Sequence, residues 1–209
     1  MFKMYSCVIL ILFCIGLSSC SDNFESEKNI YIETYIGILE SNIPFLYQGI
    51  NIYLNDFLYE PNDIDGEYTY EITHFVVVDM DDDNIPELIL HLLPSGHILV
   101  LHYENDFVYG YGFGVRSLGH IKKDGTFGWS SGAGYWGRSR LQFSADTYEI
   151  IDICRIESYD YGHLHYINEE EVTETEFDLF VAEQDAKEDE EWHEFNGANI
   201  NRLGEFFCE

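Results

Sequence analysis

The residues best suited to chemistry lie in one short stretch. Phe75-Val76-Val77-Val78-Asp79-Met80-Asp81-Asp82-Asp83-Asn84-Ile85-Pro86-Glu87-Leu88-Ile89-Leu90 places an acidic loop between two apolar runs. Hard cations such as Ca²⁺ take roughly six to eight oxygen ligands, which a tight loop supplies from alternate positions. Asp79, Asp81 and Asp83 stand at loop positions 1, 3 and 5, the Ile85 carbonyl at position 7 and Glu87 at position 9. The sharp turn at position 6 wants a left-handed residue, and Asn84 is the next best after glycine. Asp79 and Glu87 also bracket the loop inside apolar sequence, where a carboxylate is costly unless something neutralises it. The expectation is a structural Ca²⁺ site with the affinity of an extracellular module, on the order of 10⁻⁴–10⁻³ M. The competing expectation is a plain solvated hairpin turn.

The spacing resembles the Asp-x-Asp-x-Asp-Gly calcium loops of dockerin, EF-hand and integrin-type repeats. Position 12 is Leu90 rather than Glu and the flanks read as strands, so the likeness is to the strand-loop-strand form of integrin-type repeats, without their propeller repeat.

Other motifs match in letters but not in context. Gly128-Trp129-Ser130-Ser131-Gly132 has the Gly-x-Ser-x-Gly form of a nucleophile elbow, and Asp152 and His163 follow in the order of a hydrolase triad. An elbow must pass from a strand into a helix, and Gly134-Tyr135-Trp136-Gly137 cannot open one. Gly132-Ala133-Gly134-Tyr135-Trp136-Gly137 matches a dinucleotide fingerprint, yet has no following helix whose dipole would bind pyrophosphate. His163 and His165 share one strand face and could form half of a zinc site. His91, His97 and His102 are candidates for the other half, but no spacing ties them together. The acids are too numerous to single out a glycosidase pair. Segment 109–140 gathers aromatic residues, glycines and most of the positive charge. Arg116, Trp129, Tyr135, Trp136, Arg138 and Arg140 form a candidate ligand surface suited to sugars or anionic glycans, with sheet core as the simpler account.

The elements that must position these groups read as helices at both ends of a run of strands. Ile32, Tyr35, Ile36 and Leu39 fall at helical spacing, and a second helical piece is predicted over 48–57. Residues 60–67 form a loop by turn chemistry. Strands follow over 68–78, 87–93, 97–103, 107–115, 117–122, 126–130, 135–144, 147–157 and 161–167. Their connections are too short for helical crossovers, so neighbours should pair antiparallel. Thr173-Glu174-Thr175-Glu176 is a capping box opening a helix, and a last helix after Asn196 should bury Ile200, Leu203, Phe206 and Phe207. The fold class is α+β: an antiparallel multi-stranded β-sheet flanked by N-terminal and C-terminal helices.

The 209 residues carry 39 Asp and Glu against 10 Lys and Arg, a formal net charge of −29, with 46% hydrophobic content. That hydrophobicity excludes a disordered acidic tail, and the charge argues against nucleic acid or an anionic membrane surface as partner. Residues 1–19 join Lys3 to an apolar run too short for a comfortable span, as in an export signal. Leu17-Ser18-Ser19-Cys20 resembles a bacterial lipobox, which implies cleavage before Cys20, lipidation of its sulfur and a tether over 20–28. Residues 29–209 would then be a single domain, expected as a monomer. Cys154 and Cys208 either bridge the body to the C-terminal helix or remain thiols; two cysteines make no framework, which favours thiols.

Together, the lipobox, a helical start, Asp-Met-Asp-Asp-Asp-Asn-Ile-Pro-Glu-Leu and Glu-Val-Thr-Glu-Thr-Glu-Phe look like a group of uncharacterised lipoproteins of anaerobic gut bacteria. The resemblance implies an exported α+β domain with a cation loop. The functional expectation is a lipid-anchored, non-catalytic binding module with a structural Ca²⁺ and a protein or glycan partner. The alternative is an exported hydrolase or glycan-binding protein using 128–165.

Overall fold

The computed structural model describes residues 30–62, 66–144, 146–160 and 162–207. The export signal, Cys20, the tether and Cys208 lie outside these residues. Helix α1 (30–39) precedes a hairpin of β1 (Phe45–Tyr47) and β2 (Ile50–Ile52), then a single helical turn, α2 (Leu54–Leu58). Short strands β3 (Tyr59–Asn62) and β4 (Gly66–Thr69) pair with each other. The sheet strands follow: β5 (Glu71–Val78), β6 (Glu87–Leu93), β7 (His97–Glu104), β8 (Phe107–Phe113), β9 (Phe127–Gly132), β10 (Tyr135–Ser144), β11 (Thr147–Tyr159), β12 (Gly162–Ile167) and β13 (Glu170–Val172). Helix α3 (Glu174–Asp185), β14 (His193–Glu194), α4 (Gly197–Ile200) and α5 (Leu203–Phe206) complete the order.

The strands form a seven-stranded sheet, β14-β5-β6-β7-β8-β1-β2, and a five-stranded sheet, β13-β12-β11-β10-β9. All pairings are antiparallel except β1 with β8, which the sequence reading did not foresee. The apolar runs of β5 to β7 are continuous because both faces are covered. Phe75, Val77, Leu88, Leu90, Leu99 and Leu101 point to one face, where Tyr35 and Ile38 of α1, Leu203 of α5 and Phe207 pack on them. Val76, Val78, Ile89 and Val100 point to the other, against Phe127, Leu141 and Phe143 of the second sheet. Helix α1 and the residue after α5 therefore meet: Tyr35 and Phe207 stack with ring centroids 5.8 Å apart. Beyond the second sheet, α3 anchors the buried Phe177 against Trp136 and His165. The Thr173 and Glu176 capping box is formed as expected.

Four expectations about elements need correction. Segment 48–57 is mostly a hairpin, because Gln48 (φ +51°) and Gly49 (φ +77°) make a left-handed turn and only Leu54–Leu58 coils. Residues 117–122 make isolated bridges, Gly119 to Gly128 and Lys122 to Asp189, rather than a strand. Within 60–67, backbone pairing extends Tyr59↔Thr69 through Asn62↔Gly66, so the loop is shorter than its turn residues suggested. The final helix is two short turns, interrupted at Asn201–Arg202, where the Arg202 N–H bonds three residues back to the Asn199 carbonyl.

Candidate metal centre

β5 ends and β6 begins at the acidic loop, and their antiparallel register, Val78↔Glu87, brings the two ends of that loop side by side. The loop winds around the Asp79 carboxylate. Its Oδ1 accepts N–H bonds from Asp82 (2.7 Å) and Asp83 (3.3 Å), and its Oδ2 accepts one from Asn84 (2.9 Å). Asp82 and Asn84 take left-handed backbone, φ +66° and +70°, so Asn84 performs the turn foreseen for it. The Asp83 Oδ1 accepts the Ile85 N–H at 2.6 Å.

Asp79, Asp81 and Glu87 each bring a carboxylate oxygen to within 4.8 Å of the others, a group that could hold a metal ion. Glu87 is fully buried: Oε2 accepts the Met80 N–H and Oε1 meets His102 Nδ1, both at 2.8 Å. His102 is itself buried and stacks on Phe143, centroids 4.3 Å apart. Asp81 reaches across to the second sheet, where its Oδ2 accepts the Phe143 N–H at 3.3 Å. Its other oxygen, Oδ1, is buried and has no hydrogen-bond partner. A buried carboxylate oxygen with nothing to accept from is expensive, and a cation bound there would offset that cost.

The electrostatics agree. Burial pushes the Glu87 carboxyl well above its ordinary range, and the neighbouring acids add to the push. Asp81 and Asp83 are raised too, first by desolvation, with the Asp79 charge adding to both and the Asp81 charge adding to Asp83. Burial lowers His102, so desolvation favours the neutral form of both members of the Glu87–His102 pair.

Two contacts brace the loop from outside. The Tyr35 hydroxyl of α1 donates to the carbonyls of Leu101 (3.1 Å) and Pro86 (3.3 Å), beside Glu87. From the second sheet's side, Gly125 (φ +76°) presses against the loop so closely that a β-carbon there would lie 2.7 Å from Met80 Cα and nearer still to the Asp79 carbonyl. Sequence reasoning missed both braces and the His102 partnership, because each joins residues distant in sequence.

The other candidates are dispersed. His163 pairs with Ser158, its cross-strand neighbour, rather than with Ser130. Ser130 donates to the Gly132 carbonyl, and Asp152 accepts from Ser139, which in turn accepts the Trp129 indole N–H. β9 turns into β10, not into a helix. His91 meets Thr73, and His97 meets Ser95. Among the described residues, no second group of His, Cys, Asp and Glu is clustered for a metal. Cys154 is a buried thiol whose pKa burial pushes up to about 11, unsuited to attack at neutral pH.

The candidate ligand surface is divided by strand alternation. Trp129 and Tyr135 pack together, centroids 5.1 Å apart. Arg116 and Trp129 line a cleft of about 310 Å³ with Ser130, Ile150 and Asp152. Trp136 and Arg138 lie on the opposite face under α3, where Arg138 pairs with Asp185 at 2.8 Å. Arg140 is exposed.

Compared with known families, curated proteins and solved structures, the chain matches none. No described helix is long and apolar enough to cross a membrane. The acidic triad at the β5–β6 junction is therefore argued from its own geometry, and it is a site able to hold a metal ion.

Proposed function

We propose that the Asp79–Glu87 loop is a structural Ca²⁺ site in an exported lipoprotein, held on a bacterial membrane through Cys20, whose body is a non-catalytic module for a protein or glycan partner. The observation that carries the metal reading is the buried, unpartnered Asp81 Oδ1 beside Asp79 and Glu87. All the proposed ligands are oxygens: Asp79, Asp81, Asp83, Glu87 and the Ile85 carbonyl. Such a set suits a hard cation, and a flexible loop mixing carboxylates with a carbonyl suits Ca²⁺ better than the strict octahedron of Mg²⁺. The nearby imidazole, His102, already faces Glu87 and fits the role of orienting a ligand.

The test is thermal unfolding of the full chain in excess EDTA and in CaCl₂, beside Asp81→Asn. A ligand at 100 times its dissociation constant stabilises by about 2.7 kcal/mol, a melting shift of about 5–10 °C for a domain of this size. Wild type should show that shift. The variant should lose it and should melt higher than wild type in EDTA, because one of three crowded carboxylates is gone. Equal melting of wild type with and without calcium would sink the proposal.

Glycan binding is a second reading, favoured by the cleft that joins Arg116, Trp129, Ser130 and Asp152. Hydrolysis there has less support, since Ser130 donates to the Gly132 carbonyl and His163 pairs with Ser158 instead. Arg116→Ala and Trp129→Ala should each abolish retention on immobilised acidic polysaccharide if that reading holds.

A further inference from the structure

A second cleft shares no residue with the acidic loop or the Arg116 cleft. Where β8, β1 and β2 form one edge of the seven-stranded sheet, α2 closes a cavity of about 390 Å³. Its walls are aromatic. Tyr47 and Phe57 meet edge to face, centroids 5.0 Å apart at 71°, and Tyr70 and His97 do so at 5.8 Å and 80°. Each pair forms a corner of two π systems near a right angle. Gly112 lies beneath Tyr47, and a β-carbon there would come within 2.9 Å of the Tyr47 hydroxyl oxygen.

The charge of the lining is as selective as its shape. Asp56 is its one acidic residue, and neither Lys nor Arg lines it. The Asp56 carboxylate is exposed and has no hydrogen bond or ion pair among the described residues. In a chain of net charge −29, this mouth repels anions and concentrates cations. Aromatic faces attract cations through their quadrupoles, most strongly where water is displaced. Ile52, Leu92 and Ile98 add aliphatic surface to the lining and would meet methyl groups rather than a hydrated ammonium. The His97 Nδ1, which could otherwise meet a sugar hydroxyl, is already engaged by Ser95.

We propose that this cleft binds a quaternary ammonium group, with the methyl shell against the rings and the positive charge facing Asp56. The acidic mouth disfavours a ligand with a neighbouring phosphate, so a free or peptide-borne amine is the source rather than a choline lipid headgroup.

The experiment titrates the ¹⁵N-labelled full chain with choline chloride at constant ionic strength, following the amides of Phe57 and Gly112. 3,3-Dimethyl-1-butanol, which has the same shape with a neutral carbon at its centre, is titrated in parallel, as is phosphocholine. Choline should bind in the millimolar range, about fivefold to tenfold tighter than the alcohol. Asp56→Asn should weaken choline about threefold, leaving the alcohol and the melting temperature unchanged. Phe57→Leu, which keeps an apolar side chain but removes a ring, should weaken choline more than the alcohol. Equal binding of choline and the alcohol overturns the proposal, as does binding of neither. Phosphocholine binding as tightly as choline overturns the role given to Asp56.

Discussion

Gly125→Ala tests whether the Lys122–Gly125 turn braces the metal loop. Gly125 holds φ +76° and donates its N–H to the Lys122 carbonyl at 2.9 Å. An L-residue forced into that left-handed conformation costs about 1–2 kcal/mol. The added β-carbon would also lie 2.7 Å from Met80 Cα and closer to the Asp79 carbonyl, both backbone atoms that cannot swing aside. Overpacking of that kind costs about 1–3 kcal/mol more. The total, about 2–5 kcal/mol, is a large fraction of a domain stability of about 5–15 kcal/mol. Gly96→Ala separates the two contributions, because Gly96 has φ +71° but nothing within 4 Å of its would-be β-carbon. Urea unfolding of both variants is the assay. With a slope of about 2 kcal/mol per molar, Gly125→Ala should lower the midpoint by about 1–2.5 M and Gly96→Ala by about 0.5–1 M. Since the intruding carbon pushes on Asp79 and Met80, and the Met80 N–H holds Glu87, Gly125→Ala should also reduce stabilisation by calcium while Gly96→Ala does not. Equal midpoints for the two variants would refute the steric argument.

The metal-free chain should have an inverted acid response. Glu87, Asp81 and Asp83 have folded pKa values above their unfolded ones, so their contribution is fully present below the unfolded values and is lost as pH rises through the folded ones. In EDTA the melting temperature should therefore rise as pH falls from the alkaline side toward the ordinary carboxylate range. Below the ordinary imidazole value, about 6.5, the lowered His102 opposes the trend, since the unfolded chain then takes up that proton more readily. Glu87→Gln, melted over the same pH series, should flatten the rise, and an unchanged slope would show that it reflects only the general negative charge. Lys122→Met tests the clamp on the acidic segment after α3. The buried Lys122 ammonium donates to the carbonyls of Asp185 and Lys187, both at 3.0 Å, and to Asp189 at 2.6 Å. Leaving those acceptors unmet should cost about 2–3 kcal/mol in urea unfolding and speed proteolysis near residue 187; unaltered stability would mean that water replaces the amine.

The legible parts of this fold were those set by local pattern. The continuous apolar runs at 75–78 and 87–92 read as strands, the Thr173 box opened its helix, and the Asp79-to-Glu87 spacing marked the loop. What escaped was set by partners distant in sequence. Glu170-Glu171-Val172 has no strand signature, yet it pairs with β12 because the left-handed Asn168–Glu169 turn folds it back. β1 lies parallel to β8 because Phe45 fills the space over Gly110, where a β-carbon would clash with its ring. His102 looked like one scattered imidazole among several until the β6–β7 and β5–β6 registers carried it and Glu87 into one buried pair.

The geometry of Asp81 also bears on why the acidic loop sits where it does. Asp79 closes the central sheet's β5, Glu87 opens β6, and Asp81 leans on the Phe143 N–H of β10 in the other sheet. Phe143 covers His102, and His102 holds Glu87, so one chain of contacts runs from loop to second sheet and back. Three carboxylates drawn together at the rim of the inter-sheet core repel one another and are partly stripped of water, which loosens the seam they span. A divalent cation among them would reverse the sign of each of those interactions at once, joining the ends of β5 and β6 through ionic bonds and fixing Asp81 where it meets the Phe143 N–H of β10. On this reasoning calcium should protect the Phe143 and Met80 amides from hydrogen exchange well beyond the loop's own amides at Asp82 and Asn84. Protection confined to the loop would mean that the ion orders only a turn and does not fasten the two sheets.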